Sequence, residues 1–184
     1  VVSSVTVDGL QLNREENKRG VSNWDDLVAA DSGEDTDAVS PGDAAVNVAS
    51  VEFVDATITY FDAAADSRYV LNDADLRIGV VSGTRQELVV DGMALDAMLE
   101  GVGDMPSRLR ISTDSVGIAT VDEMITLAPL DIETLGLRIA AEPQPFSYAD
   151  SVQPVAALKI DAFSPRSLMT VFGTEPPETA DPGA

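Results

Sequence analysis

Four closely spaced carboxylates are the first residues in this sequence that could do chemistry. They are Asp31, Glu34, Asp35 and Asp37. Carboxylate oxygens suit calcium, but these four lack the D-x-D-x-D-G…E order that places ligands around the ion in an EF-hand. The stretch around them, residues 31–43, is acidic and rich in small and turn-forming residues, which is typical of a solvated loop. We therefore predict an acidic surface loop at 31–43 and no metal site.

A nucleophilic site is equally hard to assemble from these residues. The chain has no cysteine and no histidine, which removes thiol nucleophiles, Cys/His zinc sites and the histidine base of Ser-His-Asp hydrolases. A serine–lysine pair such as Ser151 and Lys159 would need an uncharged, buried lysine beside the hydroxyl, and no motif surrounds these two residues. No carboxylate pair is singled out for glycoside hydrolysis. We predict that the protein is not an enzyme and has no catalytic residues and no cofactor.

The net charge restricts the partners. The 184 residues carry 32 acidic and 11 basic side chains, giving a formal charge of −21. Such a field repels phosphate backbones and anionic headgroups, so we expect no nucleic-acid partner. No apolar run approaches the roughly 18 residues of a membrane-spanning helix, and the chain starts VVSSVTV without a methionine. We expect a single segment, residues 1–184, cut from a longer protein whose membrane anchor lies outside it.

Hydrophobic residues recur mostly with period two, which predicts strands. In VTVDGLQL and LVVDGMAL, the apolar positions change parity at Asp8-Gly9 and Asp91-Gly92. Each Asp-Gly pair is either a two-residue hairpin turn or a β-bulge inside one long strand. Asp55, Asp73 and Asp91 are spaced 18 residues apart, about the length of two strands and a turn, which suggests a weak internal repeat of antiparallel units.

Two short helices are predicted. In SPRSLMTVFG, Ser164 is the N-cap, Pro165 occupies the first helical position and Gly173 follows the last turn. In NWDDLVAA, Asn23 is the N-cap and the aspartates that follow favour the positive end of the helix dipole. Trp24, the one tryptophan of the chain, would pack on the sheet in this interpretation; a ligand-stacking role is the alternative. Residues 174–184 are predicted to form a flexible tail.

Three landmarks, in the same order along the chain, resemble the AsmA family of Gram-negative bacteria. The first is G-x-x-N-W-D-D-L, matched by Gly20, Asn23, Trp24, Asp25, Asp26 and Leu27. The second is an A-T-I-T-Y-x-D strand that continues into L-x-D-x-x-L, matched by Ala56 to Tyr60, Asp62, Leu71, Asp73 and Leu76. The third is an F-S-P-R-x-L helix, matched by Phe163, Ser164, Pro165, Arg166 and Leu168. The landmarks span most of the chain, whereas residues 82–155 match only as a strand-rich stretch.

This resemblance implies a periplasmic segment of a protein tethered to the inner membrane and involved in outer-membrane biogenesis. It also implies a curved antiparallel β-sheet whose apolar face forms a groove that carries phospholipid acyl chains. An acidic module that docks outer-membrane assembly proteins is the alternative function. Within this mainly β fold with two short helices, a closed β-sandwich is the alternative architecture.

Alternation gives each strand one apolar and one polar face, so the residues that would line such a groove follow from the pattern. The candidates for lipid contact are Val51, Phe53, Ile58, Tyr60, Leu76, Ile78, Val116, Ile118, Leu137 and Ile139, chosen from an apolar set that also contains Val80, Leu109, Ile111 and Leu135. In the closed sandwich, the same residues would form an ordinary core.

Overall fold

The computed structural model describes residues 2–24, 45–148 and 154–175. The predicted acidic loop at 31–43, the helix predicted to continue from Trp24, and most of the predicted tail at 174–184 lie outside the described residues.

The described residues form twelve strands and one helix. The elements are β1 (Val5–Asp8), β2 (Gln11–Glu16), β3 (Val46–Val48), β4 (Val51–Asp62), β5 (Ser67–Gly83), β6 (Glu87–Glu100), β7 (Ser107–Ala119), β8 (Met124–Leu127), β9 (Leu130–Thr134), β10 (Leu137–Pro143), β11 (Phe146–Ser147), β12 (Ala156–Ile160) and α1 (Pro165–Val171). No helix in the described ranges is long and apolar enough to span a membrane.

All twelve strands belong to one open sheet. Its main strand order is β1-β4-β5-β6-β7-β9-β10-β12, and the end strands β1 and β12 do not pair with each other. Four long strands, β4 to β7, form its centre as an antiparallel meander. The prediction of a mainly β fold built on an open sheet is confirmed. The sheet is mixed rather than wholly antiparallel, however, because β1 and β2 both pair in parallel with β4. The long connection between β2 and β3 makes such a parallel return possible.

Neither Asp-Gly pair forms a hairpin turn. β1 and β2 follow one another along β4, and Gly9 between them has a φ of 64°. Asp91 and Gly92 lie inside the continuous strand β6, where Gly92 has a φ of 85°. At both places the chain runs straight on through a left-handed glycine, so the apolar positions change parity without a reversal of direction.

Two aspartates at neighbouring positions of β4 and β5 bend these central strands. Asp55 in β4 and Asp73 in β5 have φ values of 53° and 48°, and the pairing of the two strands shifts register on both sides of the pair Ala56–Ala74. Aspartate tolerates the left-handed region better than most residues, and bulges of this kind bend a strand and increase its twist. The 18-residue spacing of Asp55 and Asp73 therefore marks matching bulges on neighbouring strands.

The most buried side chains of the sheet are small. Ala56, Ala74 and Ala97 are 3%, 2% and 2% exposed and form a cluster beside the bulges. No large side chain in the described ranges is fully buried, and the larger contacts between strands join hydrogen-bonded neighbours, with a small contact between β8 and β10 besides. The residues described here form a single layer instead of two facing sheets, which disfavours the closed sandwich.

The predicted helix at SPRSLMTVFG is confirmed as α1. The Ser164 hydroxyl accepts a hydrogen bond from the Ser167 backbone N–H at 3.3 Å, Pro165 begins the helix, and Gly173 follows it with a φ of 63°. The helix contacts the loop between β6 and β7, where the Asp104 N–H donates to the Val171 carbonyl at 3.1 Å. α1 therefore lies against one end of the central strands.

Candidate functional site: an apolar face across the sheet

Two rows of paired residues cross one face of the sheet from β1 to β12. The first row is Val7, Phe53, Leu76, Leu95, Ile111, Ile132, Ile139 and Ile160. The second row is Val5, Val51, Ile78, Met93, Thr113, Leu130, Ala141 and Leu158. Residues that pair across strands share a face, and only Thr113 interrupts the apolar character. Eight strands thus present an apolar stripe that is continuous along the first row and has one polar position in the second.

The same face continues past the bulges. Leu95 of the first row and Leu71 beyond the bulges both pack against the alanine cluster of Ala56, Ala74 and Ala97. Phe53 and Ile58 are an odd number of residues apart, which would put them on opposite faces of a regular strand. The bulge at Asp55 removes this difference, so β4 keeps its apolar residues on one side.

The structure places eight of the ten predicted groove residues on this face, six of them away from its margin. Phe53, Leu76 and Ile139 lie in the first row, Val51 and Ile78 lie in the second, and Ile58 pairs with Leu71 beyond the bulges. All six are half-buried. Partial exposure is expected in a single-layered sheet, because each side chain is shielded only by its neighbours on the same sheet.

Val116 and Ile118 belong to a different patch. Val116 pairs with Val90 and Leu127, and Ile118 pairs with Leu88 and Ile125. On β6, the half-buried apolar residues on either side of Gly92 differ in parity: Leu88 and Val90 precede it, and Met93 and Leu95 follow it. These two predicted residues therefore lie beyond the line of Gly92, apart from the two rows.

Tyr60 and Leu137 lie at the margin of the apolar stripe. Leu137 begins β10 and pairs with Thr134 across the turn from β9. Tyr60 stacks on Tyr69 with ring centroids 6.2 Å apart, and the Arg14 guanidinium lies 5.6 Å from the Tyr60 ring. The Tyr60 hydroxyl also bonds to the Glu16 carboxylate at 3.2 Å.

The environment of Tyr60 alters its titration. Partial burial raises the pKa of Tyr60, and the hydrogen bond and the negative charge of Glu16 raise it further. The face thus turns from aliphatic to aromatic and charged at this end of β4.

Two central residues of the rows were missed by the sequence analysis. Leu95 on β6 and Ile132 on β9 are absent from the apolar set, although both pair with Ile111 of β7, which that set contains. Alternation within MALDAML and LDI is the available signal. It shows which residues of a strand share a face, but not which residues of other strands lie beside them.

The opposite face carries an ion-pair ladder. Asp96 accepts hydrogen bonds from Arg108 at 2.6 Å and Arg110 at 3.2 Å, and Glu133 bridges Arg110 at 3.2 Å and Arg138 at 2.9 Å. The hydrogen bond from Arg108 is the main reason that the pKa of Asp96 lies below its usual range, against a smaller opposing effect of burial. Because the arginines are matched by carboxylates, this face offers paired charges rather than an open anion site.

Asn23 and Trp24 cover the edge of β2. The Asn23 amide accepts from the Glu15 N–H at 2.8 Å and donates to the Asn13 carbonyl at 3.1 Å, as a neighbouring strand would. The Trp24 indole N–H donates to the same Asn13 carbonyl at 2.9 Å, and the side chain is 36% exposed. The Asn23 side chain is thus committed to β2, where the sequence predicts a helix N-cap.

The remaining landmark residues are structural or lie outside the described ranges. Ser164 and Pro165 start α1, Arg166 is in its first turn, and Asp26 is not among the described residues. Within the described part of the chain, no group of three or more acidic side chains could hold a metal ion.

In comparisons with known proteins, no family model, curated protein or solved structure matched this chain at the significance required.

Proposed function

We propose that this chain is a noncatalytic segment that shields lipid acyl chains from water along its apolar face, as part of an AsmA-like protein in the periplasm. One observation carries the proposal: two apolar rows cross eight strands of a single-layered sheet, and no second layer of described residues covers them. A large contiguous apolar surface marks a site for an apolar partner.

The dimensions of the apolar stripe fit an acyl chain. Strands lie about 4.8 Å apart, so eight strands extend over about 34 Å. One leaflet contributes about 15 Å of acyl chain to a hydrocarbon core of about 30 Å, so a chain fits within the stripe. Burial would stabilise it by about 0.8 kcal/mol for each CH₂ removed from water. Shielding a lipid needs no catalytic group, because no covalent bond changes.

The charge suggests which lipids fit. At a net charge of −21, the segment repels anionic headgroups at low ionic strength, so the proposed ligand is a zwitterionic phospholipid whose headgroup stays in solvent. The proposed location is the periplasm, with an inner-membrane tether elsewhere in the full-length protein, as the resemblance to the AsmA family implies.

The test is binding of a fluorescent fatty acid or phospholipid to the purified protein. Ile111→Asp places a charge in the middle of the first row, whereas Ser112→Asp adds the same charge to the opposite face of the same strand. We expect Ile111→Asp to weaken binding at least about tenfold, since a carboxylate resists transfer into an apolar site, and Ser112→Asp to leave it unchanged. Circular dichroism checks that both variants fold.

Two outcomes would refute the proposal. One is the absence of probe binding together with the absence of copurified lipid by mass spectrometry. The other is equal weakening by both substitutions, which would locate the effect in the added charge rather than in the apolar face.

The net charge favours a second candidate, an acidic module that docks a basic outer-membrane assembly protein. Binding to such a partner would weaken steeply with added salt, whereas acyl-chain binding would not. A salt series with a lipid probe and a pull-down from periplasmic extract separates the two functions.

A further inference from the structure

The two apolar rows end on exposed edge strands. Leu158 and Ile160 on β12 are 65% and 49% exposed, and Val5 on β1 is 40% exposed. Among the described residues, β12 pairs with β10 alone and β1 with β4 alone. By contrast, the edge of β2 is covered by Asn23 and Trp24.

The backbone groups on these edges are oriented for another strand. On β1, the Val5 N–H donates to the Ser50 carbonyl at 3.0 Å and the Gly9 N–H donates to the Val54 carbonyl at 3.0 Å. Since alternate residues of a strand point their backbone groups in opposite directions, the N–H and C=O groups of Thr6 point away from β4.

The same reasoning applies to β12. The Asp161 N–H donates to the Arg138 carbonyl at 3.0 Å, so the odd-numbered residues of this strand bond to β10. The backbone groups of Leu158 and Ile160 therefore point away from the sheet. Unpaired edges of this kind are templates for pairing with another strand.

We infer that copies of this chain join edge to edge, with β12 of one molecule pairing in parallel with β1 of the next. The two strands run in the same direction, because six antiparallel pairings separate β12 from β4, to which β1 is parallel. Leu158 then lies beside Val5 and Ile160 beside Val7, which extends both rows into the next molecule. This register also places the outward backbone groups of Leu158 and Ile160 beside those of Thr6.

The symmetric pairing of two β12 strands that matches both exposed apolar residues, Leu158 and Ile160, is less favourable. The antiparallel register that keeps Leu158 beside Ile160 of the other copy would place the two Lys159 side chains directly opposite one another, and like charges at such positions are destabilising. In the parallel pairing, Lys159 lies beside Thr6. The contact is heterologous, so it builds an open series of copies.

Disulfide cross-linking tests the register, since the chain has no cysteine of its own. One protein carries Thr6→Cys and the other Lys159→Cys. Opposite residues of neighbouring strands lie about 4.8 Å apart, within reach of a disulfide. The control replaces the second protein by Ala157→Cys, which shares the face of Lys159 but is displaced along the strand to about 8 Å from Thr6, beyond that reach.

We expect mixed oxidation of Thr6→Cys and Lys159→Cys to give at least about five times more cross-linked dimer than the control mixture. Equal yields, or no dimer in either mixture, would overturn the proposal. Efficient cross-linking of Lys159→Cys with itself would overturn it in favour of the symmetric dimer. A cross-linked monomer from the double variant Thr6→Cys/Lys159→Cys at high dilution would show that β1 and β12 of the same molecule meet instead.

Leu158→Pro provides an independent test. Its backbone N–H points away from β10, so proline there blocks the next copy without removing a bond within the sheet. Sedimentation should show wild-type mass rising with protein concentration and the variant remaining monomeric with an unchanged circular dichroism spectrum. A monomeric wild type at all concentrations would refute the inference, and neither experiment requires lipid.

Discussion

Gly79 is the position where the closeness of the central strands can be tested most directly. A Cβ at Gly79 in β5 would overlap the Asp91 carbonyl oxygen, and would lie 3.0 Å from the carbonyl carbon of Asp91 and 3.4 Å from the carbonyl oxygen of Gly92. These are backbone atoms of β6, which cannot rotate away as a side chain would. Gly79→Ala therefore requires the two strands to separate.

The expected cost follows from this geometry. Inserting a methyl group into a packed position costs about 1–3 kcal/mol, and we expect the upper end, about 3 kcal/mol, because backbone atoms must move. Gly92→Ala differs in mechanism, since nothing lies within 4 Å of its Cβ but its φ is 85°. The left-handed conformation alone should cost that variant about 1–2 kcal/mol.

Urea unfolding followed by circular dichroism measures these differences, with Trp24 fluorescence as a second probe of two-state behaviour. Gly117→Ala is the matched control, because its Cβ would lie an ordinary 3.7 Å from Thr126 and alanine is favoured over glycine within a strand. If Gly79→Ala loses no more free energy of unfolding than Gly117→Ala, the close approach of the β5 and β6 backbones at Gly79 would be contradicted.

Substitutions at three further residues test other contacts in the same urea assay. Trp24→Ala should cost about 2 kcal/mol, below the 3–5 kcal/mol of a fully buried ring, because the side chain is 36% exposed and holds β2 through one hydrogen bond; a change below about 0.5 kcal/mol would contradict its anchoring role. Ser164→Ala should cost about 1 kcal/mol through the lost N-cap, and Ser164→Asp should retain most of that stability. Asp96→Asn should flatten the acid limb of the stability–pH curve. The folded-state pKa of Asp96 is lowered, so the stability that Asp96 contributes is fully present above its unfolded-state pKa of about 3.9. This stability is lost as the pH falls through the folded-state pKa. That change should be below about 1 kcal/mol because the pair with Arg108 is solvent-exposed, and an unchanged acid limb would show that the pair contributes nothing.

The local features of the fold were predictable from the sequence. Ser164, Pro165 and Gly173 sit at the start and end of α1 as their chemistry predicts, because a cap depends on residues only a few positions apart. The strands were recognisable for the same reason, since alternation is a property of one strand.

The candidate site was predictable only in part. Alternation identified Phe53, Leu76 and Ile139, which the structure places in one row, but it also selected Val116 and Ile118, which lie beyond Gly92. The bulge at Asp55 and the left-handed Gly92 change the parity of the apolar residues, and the effect of such a change depends on the strand alongside.

The sequence by itself determined the amount of β structure, the capped helix and the apolar and polar sides of individual strands, since these depend on short-range spacing and conformational preference. Only the tertiary structure decided that β1 and β2 run parallel to β4, that one sheet forms where two were conceivable, and that the two rows end on open edges at β1 and β12. Strand pairing joins residues far apart in the chain, and no local preference encodes which partner is chosen.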